Sequence, residues 1–308
     1  MTYLPVYKRY ERKVLFDIKE KLYSYLNDCN ICPRRCGVNR FEGEVGYCGG
    51  GALATIASYG PHYGEEAPLV GKYGSGTIFF SGCSLGCIFC QNYDISSRAV
   101  GGSYTDEDVA KIMLRLQDMG CHNINLVTPT HYIPQIVNAI IKASEEGLYL
   151  PIVYNSGGYD LPETIELLSP IIDIFMPDMK FSSEEVARRF CNATDYPQIN
   201  KKVVETMHSI VGDLKVNPNG IAIRGLIIRH LVLPENLSGT DEIVKFIANR
   251  ISKKTFFNLM SQYHPCYKAI NYKELSRRIN HSEWNEAVEI THRAGLEIEK
   301  VYSINYDL

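Results

Sequence analysis

Three cysteines fall within eight residues in the run Cys83-Ser84-Leu85-Gly86-Cys87-Ile88-Phe89-Cys90, and this run restricts the chain more than any other feature. The spacing is C-x3-C-x2-C. Three thiolates can hold three corners of a cubane [4Fe-4S] cluster, which leaves the fourth iron without a protein ligand. An iron left open in this way can take up a small molecule, so the cluster becomes a reagent as well as an electron relay. Structural zinc is the rival reading, but it prefers four ligands in paired spacings. The next Cys and His, Cys121 and His122, come only beyond a predicted helix.

The run begins directly after the first of six short apolar stretches, Thr77–Ser81, Asn123–Thr128, Pro151–Asn155, Ile171–Met176, Gly225–Leu233 and Thr255–Ser261. They are rich in Ile, Val and Phe without polar alternation, as parallel strands buried on both faces are. Helical patterns lie between them. Thr105-Asp106-Glu107-Asp108 reads as a capping-box start with Gly120 as the stop. Ile136–Glu146 ends at Gly147, a third helix opens at Leu161-Pro162, and Asp241–Arg250 gives another. The alternation predicts an α/β fold, an open parallel (β/α)6 partial TIM barrel with chemistry at the C-terminal strand ends. Residues 1–74 read as a cysteine-rich metal-binding extension, 75–271 as the barrel and 272–308 as a cover of helix Glu283–Ala294 and strand Glu297–Ser303.

At 308 residues and 45% apolar content the chain has enough material for a large core. Charged residues make up 22% and the net charge is −3, so no basic footprint for nucleic acid is present. Met1 to Lys13 has no apolar core and does not read as a signal peptide, and Ile221–Leu233 is broken by Arg224, Arg229 and His230. The expectation is a soluble cytoplasmic protein without a membrane partner. Ten cysteines in such a compartment favour ligation over disulfides. Seven of them form two groups, and Cys121, Cys191 and Cys266 are expected to be core residues. The second group, Cys29-x2-Cys32-x3-Cys36-x11-Cys48, offers four thiolates to zinc or to a fully ligated iron–sulfur cluster, and the spacing does not separate the two.

Phe80-Ser81-Gly82-Cys83 through Cys90-Gln91-Asn92-Tyr93-Asp94-Ile95-Ser96 resembles the radical S-adenosylmethionine (radical SAM) superfamily, in the branch of the pyruvate formate-lyase activating enzyme and its uncharacterised relatives. The resemblance runs from about residue 29 to 270. It implies that Cys83, Cys87 and Cys90 hold a [4Fe-4S] cluster whose open iron chelates SAM, and that Phe89 packs near the adenine. Where family members carry Gly-Gly-Glu, this chain has Thr128-Pro129-Thr130-His131, so recognition of the SAM amino group falls to backbone carbonyls and the Thr128 and Thr130 hydroxyls. Tyr154-Asn155-Ser156-Gly157-Gly158 is similar to the ribose element Thr-Asn-Gly, which implicates Asn155, Ser156 and Gly157. Met176-Pro177-Asp178-Met179-Lys180 resembles Met-x-Asp-x-Lys, with Met176 at the cofactor and Asp178 and Lys180 facing SAM and substrate. Ile228-Arg229-His230-Leu231 resembles the stretch in which Arg229 would bind the SAM carboxylate beside Leu231, and Gln262-Tyr263-His264-Pro265 places His264 near the adenosyl group.

The implied activity is reductive cleavage of SAM to a 5′-deoxyadenosyl radical, followed by hydrogen abstraction, with Asp178, Lys180 and His264 at the reacting centre. The expected partners are a low-potential electron donor of flavodoxin or ferredoxin type and a glycyl radical enzyme as substrate. The alternatives are another peptide, protein or small metabolite as substrate, or a non-catalytic iron–sulfur redox protein. The N-terminal cysteine block sets this chain apart from the formate-lyase activase itself.

Overall fold

All six apolar stretches are strands in the computed structural model, which describes residues 3–98 and 100–298. In chain order the strands are β1 (Ala54–His62), β2 (Ser75–Phe80), β3 (Gly102–Tyr104), β4 (Ile124–Val127), β5 (Ile152–Ser156), β6 (Ile174–Pro177), β7 (Lys215–Val216), β8 (Ala222–Leu231) and β9 (Phe256–Met260). The helices are α1 (Arg12–Ser24), α2 (Ala67–Val70), α3 (Tyr93–Arg98), α4 (Asp106–Asp118), α5 (Ile133–Glu145), α6 (Pro162–Leu167), α7 (Glu184–Cys191), α8 (Tyr196–Val211), α9 (Thr240–Phe246) and α10 (His281–Arg293).

Strands β2, β4, β5, β6, β8 and β9 are parallel neighbours in that order. The barrel is not closed. The far edge of β2 is taken by β1, antiparallel, with β3 beyond it. The expected α/β partial barrel therefore stands, extended by two strands that the apolar pattern did not mark. Gly60 and Pro61 break up β1 as a sequence signal, yet both sit where β3 no longer pairs, since β3 reaches only Ala54–Ile56. Proline is tolerated there because its missing N–H faces no ladder partner.

The punctuation read from sequence forms as expected. Thr105 Oγ1 accepts the Asp108 N–H at 3.2 Å while Asp108 accepts the Thr105 N–H at 3.0 Å, a reciprocal cap that satisfies two orphan donors of α4. Asn280 and Glu283 do the same for α10, the expected C-terminal helix. Ile298 bridges to Phe257, and the remainder of the strand expected over Glu297–Ser303 lies outside the described residues. Among the described residues no helix is long and apolar enough to cross a membrane.

One main core runs through the extension and the barrel, uniting Leu15, Leu22 and Ile31 with Ile78, Ile124 and Ile140. The segment between β1 and β2 enters the barrel itself. Leu69 of α2, fully buried, packs with Val153, Ile174, Met176, Ala222 and Ile227. Each such Leu, Ile, Val or Met side chain removed from water stabilises the fold by about 1.5–3 kcal/mol. The lower barrel is thus filled by the chain's own apolar residues, and the polar groups gather at the strand ends above.

Candidate active site

The cysteine run forms the loop leaving β2 for α3 and is held from three sides. The Ile88 N–H donates to the Phe190 carbonyl at 2.9 Å, the Lys268 N–H donates to the Ile88 carbonyl at 2.9 Å, and the Cys266 thiol donates to the Phe89 carbonyl at 3.2 Å. Phe89 is buried edge-on against Phe181 and Tyr263, with ring centroids 5.9 and 6.2 Å apart. Leu231 packs against the same cluster. Burial, with Cys87 beside it, pushes the Cys83 thiol up to about 11. Cys90 is also raised by burial and by Cys87, although the Ser96 hydroxyl donates to its sulfur at 3.3 Å. Cys87 is raised well above the ordinary thiol range, first because the Cys191 thiol donates to it at 3.0 Å and then by burial. Cys191 was expected to be an inert core residue. Its place against Cys87 could not be read from the sequence, because a hundred residues separate the two.

Beside this loop stands a buried ion set. Arg229 on β8 donates from Nε to Asp178 Oδ1 at 2.8 Å and from Nη2 to Asn155 Oδ1 at 2.7 Å. Lys180 Nζ donates to Asp178 Oδ2 at 2.5 Å. Burial alone would raise Asp178, but the charges of Arg229 and Lys180 outweigh it and hold the carboxyl below its ordinary range. Burial would likewise lower Lys180 and Arg229, and Asp178 keeps both raised and charged. The sequence reading missed Glu65, whose Oε2 lies 3.8 Å from Arg229 Nη1 and whose carboxyl burial raises. It also missed Tyr196 of α8, whose hydroxyl donates to the carbonyls of Gly157 and Asp178 at 2.9 and 3.0 Å. Both come from segments without a motif, so only the tertiary fold could supply them.

Several expected ligand contacts prove to be internal. The Thr130 and Tyr154 hydroxyls donate to Asp160 Oδ1 at 2.6 and 2.7 Å, and Ser156 donates to Asp160 Oδ2 at 2.8 Å. This network ties the ends of β4 and β5 together. Thr128 adopts φ +59°, and its N–H donates to the Asn155 carbonyl at 2.9 Å. Met176 requires a correction. It is fully buried in the apolar floor with Leu69, so it packs the barrel and has no face for a cofactor. Its side chain shares the inward parity of Ile174. His264 Nδ1 lies 3.3 Å from Nε2 of Gln91, the residue directly after the last cysteine of the loop.

Gly157 lies directly over the loop. A Cβ there would fall 2.7 Å from Leu85 Cδ1. Gly157→Val is therefore expected to displace the loop and lower the iron retained after reconstitution, as measured by iron per chain. Wild-type iron content in that variant would show that the approach is not limiting.

Among the described residues no three His, Cys, Asp or Glu side chains converge on a single ion. Cubane ligands each bind a different iron, so the three loop thiols have no common ion on which to close. Their burial leaves them protonated unless a cationic partner is present, and the iron of a cluster is such a partner. The donor set fits a cluster held by Cys83, Cys87 and Cys90. In the extension, Cys29, Cys36 and Cys48 surround Cys32, whose thiol is pushed up to about 12 by burial, with further raising from these neighbours. These four are grouped but do not close on one ion, so the expected single-ion version of that site is not seen.

A family model described as the radical SAM superfamily matches residues 77–247. An uncharacterized protein of Methanocaldococcus jannaschii is 31% identical over 94% of this chain and 82% of its own length. A second uncharacterized protein of that organism is 25% identical over 93% of this chain and 87% of its own. Among solved structures, a radical SAM methyltransferase from Sphaerobacter thermophilus is similar with a TM-score of 0.49 at 16% identity, covering 72% of this chain. This chain spans 64% of that methyltransferase. Methylornithine synthase gives a TM-score of 0.44 at 14% identity, covering 70% of this chain and 60% of its own.

Proposed function

Because the chain belongs to the radical SAM superfamily, we propose that it cleaves S-adenosylmethionine reductively and removes a hydrogen atom from a protein substrate, a glycine Cα of a glycyl radical enzyme. The observation that carries the reading is the placement of Cys83, Cys87 and Cys90 directly after β2, beside the ion set of Asp178, Lys180 and Arg229. Bound together, the cluster and SAM would supply a 5′-deoxyadenosyl radical. The chain's own residues bind, orient and shield. Phe89 offers an apolar face between Phe181 and Tyr263, and Asn155 is held by Arg229 for polar contact. Asp178 keeps Lys180 and Arg229 protonated, so two positive charges stay available to a carboxylate. The aromatic and aliphatic packing around the loop keeps water away from a reactive carbon centre.

The filled lower barrel fixes the side from which a substrate enters. With Leu69 on the floor, a substrate must enter from the open strand ends, as an extended loop of a partner can. A flavodoxin- or ferredoxin-type protein is the proposed reductant. The test is anaerobic reconstitution with iron and sulfide, then SAM and dithionite. Formation of 5′-deoxyadenosine is expected, and its absence from a cluster-loaded chain would overturn the cleavage step. A glycyl radical signal should then appear in a co-incubated glycyl radical enzyme. Cleavage without that signal moves the substrate to another peptide, protein or small metabolite.

A further inference from the structure

We propose that Cys29, Cys32, Cys36 and Cys48 hold an iron–sulfur cluster of their own, each thiolate on a different iron, and that this centre fixes Arg34 and Tyr47 as positioning residues for the loop bearing Cys83, Cys87 and Cys90. The inference rests on the family reading only for what that second loop carries.

The first support is how the sulfurs are dressed. The Gly50 N–H points at Cys48 Sγ at 3.4 Å, the Tyr47 N–H points at Cys36 Sγ at 3.4 Å, and the Arg34 N–H donates to Cys32. The barrel loop repeats the device, with the Leu85 N–H on Cys83 Sγ at 3.4 Å and the Asn92 N–H on Cys90. In four of these five cases the donor is the amide two residues after the cysteine. Amide donors aimed at sulfur favour the charged thiolate and orient it, the arrangement that metal-bound sulfurs take from their surroundings.

The second support is the fold of the segment. Between α1 and β1 the chain forms only a 3-10 turn, Arg40–Glu42, and no strand. So long an irregular stretch in a compact domain needs a reason to hold one shape. Backbone bonds already fold it back on its cysteines, the Cys29 N–H donating to the Val38 carbonyl and the Gly37 N–H to the Cys29 carbonyl, both at 3.0 Å. A shared cluster would complete that closure, because binding that exists only in the folded state stabilises it.

The third support is the contact with the barrel loop. Arg34 sits between two of the four cysteines, so a centre anchors it from both sides. Its Nε donates to the Ser84 carbonyl at 2.7 Å, and its Nη2 donates to the Leu85 and Cys191 carbonyls at 3.2 Å each. Its guanidinium lies 3.9 Å over the Tyr47 ring, and the Tyr47 hydroxyl donates to the Leu85 carbonyl at 3.1 Å. On the other side the Cys48 carbonyl presses on Gly82. A Cβ there would lie 2.2 Å from that oxygen, and Gly82 has φ +87°. The extension thus grips the residues flanking Cys83.

Two sets of variants test the proposal by metal content. In the triple variant Cys83→Ala/Cys87→Ala/Cys90→Ala, purified without oxygen, iron and sulfide should remain, adding Cys36→Ser should release both, and zinc without sulfide would overturn the cluster. A triple variant with wild-type circular dichroism and no metal overturns the centre. Should the triple variant fail to fold, Cys36→Ser/Cys48→Ser in the otherwise wild-type chain gives the answer. Its total metal must fall below the wild type, and equal metal overturns the centre. For the coupling, Arg34→Ala should keep the N-terminal metal yet lose iron from the loop cluster to a chelator about tenfold faster. Its reduced-cluster paramagnetic resonance spectrum should also respond less to added SAM. Arg34→Lys, lacking the planar fork, should restore little. Wild-type iron loss and spectrum in Arg34→Ala overturn the positioning role. Failure of wild-type protein to form 5′-deoxyadenosine, with N-terminal metal retained, would count against the proposed function and leave this centre standing.

Discussion

Cys87→Ala is expected to abolish cluster assembly and 5′-deoxyadenosine formation together, both falling to background. Cys87 is the middle and most enclosed of the three loop sulfurs, 8% exposed, and its charge bears on both Cys83 and Cys90. A cubane with two protein ligands would have two open irons, and the site would no longer hold a single coordination position for the SAM chelate. The measurements are iron and sulfide per chain, the visible absorbance of the reconstituted protein, and chromatographic detection of the nucleoside. Cys121→Ala provides the control. Cys121 is also buried but lies in the main core next to β4, so its loss should alter neither reading. Turnover retained in Cys87→Ala would refute the ligand assignment.

Asp178→Asn should be the most damaging change outside the cysteines. The carboxylate holds Arg229 at 2.8 Å and Lys180 at 2.5 Å, with side chains only 14%, 18% and 21% exposed. Removing its charge leaves Lys180 without a counter-ion and Arg229 with only the more distant Glu65, 3.8 Å away. Breaking a buried pair in this way costs about 3 kcal/mol or more, and the two cations then repel one another. The pH dependence has a definite sign. The folded-state pKa of Asp178 lies below the ordinary 3.8. Its contribution is therefore present above that value and is lost as pH falls through the folded pKa. Thermal melts from pH 7 to 3 should show this acid-sensitive component in the wild type and its absence in Asp178→Asn. Equal stability and an equal acid slope in the two proteins would remove the ion set from the account. The variant should also bind SAM more weakly, because neither cation is held in place.

The parts of the site that could be read in sequence were those contained in short runs. The cysteine spacing is local, and so are Asn155 with Gly157 and Asp178 with Lys180, each pair spanning one strand end. A strand end needs only its own residues to set which side chains share a face. Met176 was misread for a related reason. Its motif placed it at the strand end, but only the insertion of Leu69 into the barrel shows that its side chain is covered. Thr130 and Ser156 were expected to meet a ligand, and Asp160 holds both.

The chain's own order of residues determined the alternation of strand and helix and the trio of sulfurs after the first barrel strand, since apolar periodicity and ligand spacing are short-range properties. Only folding decided what lies across from them: Glu65 beside Arg229, Tyr196 under Gly157, Cys191 against Cys87, and Arg34 holding the carbonyls around the loop. Those contacts join residues dozens to more than a hundred and fifty positions apart. Such pairings arise from packing the whole chain around one core, and no local pattern encodes them.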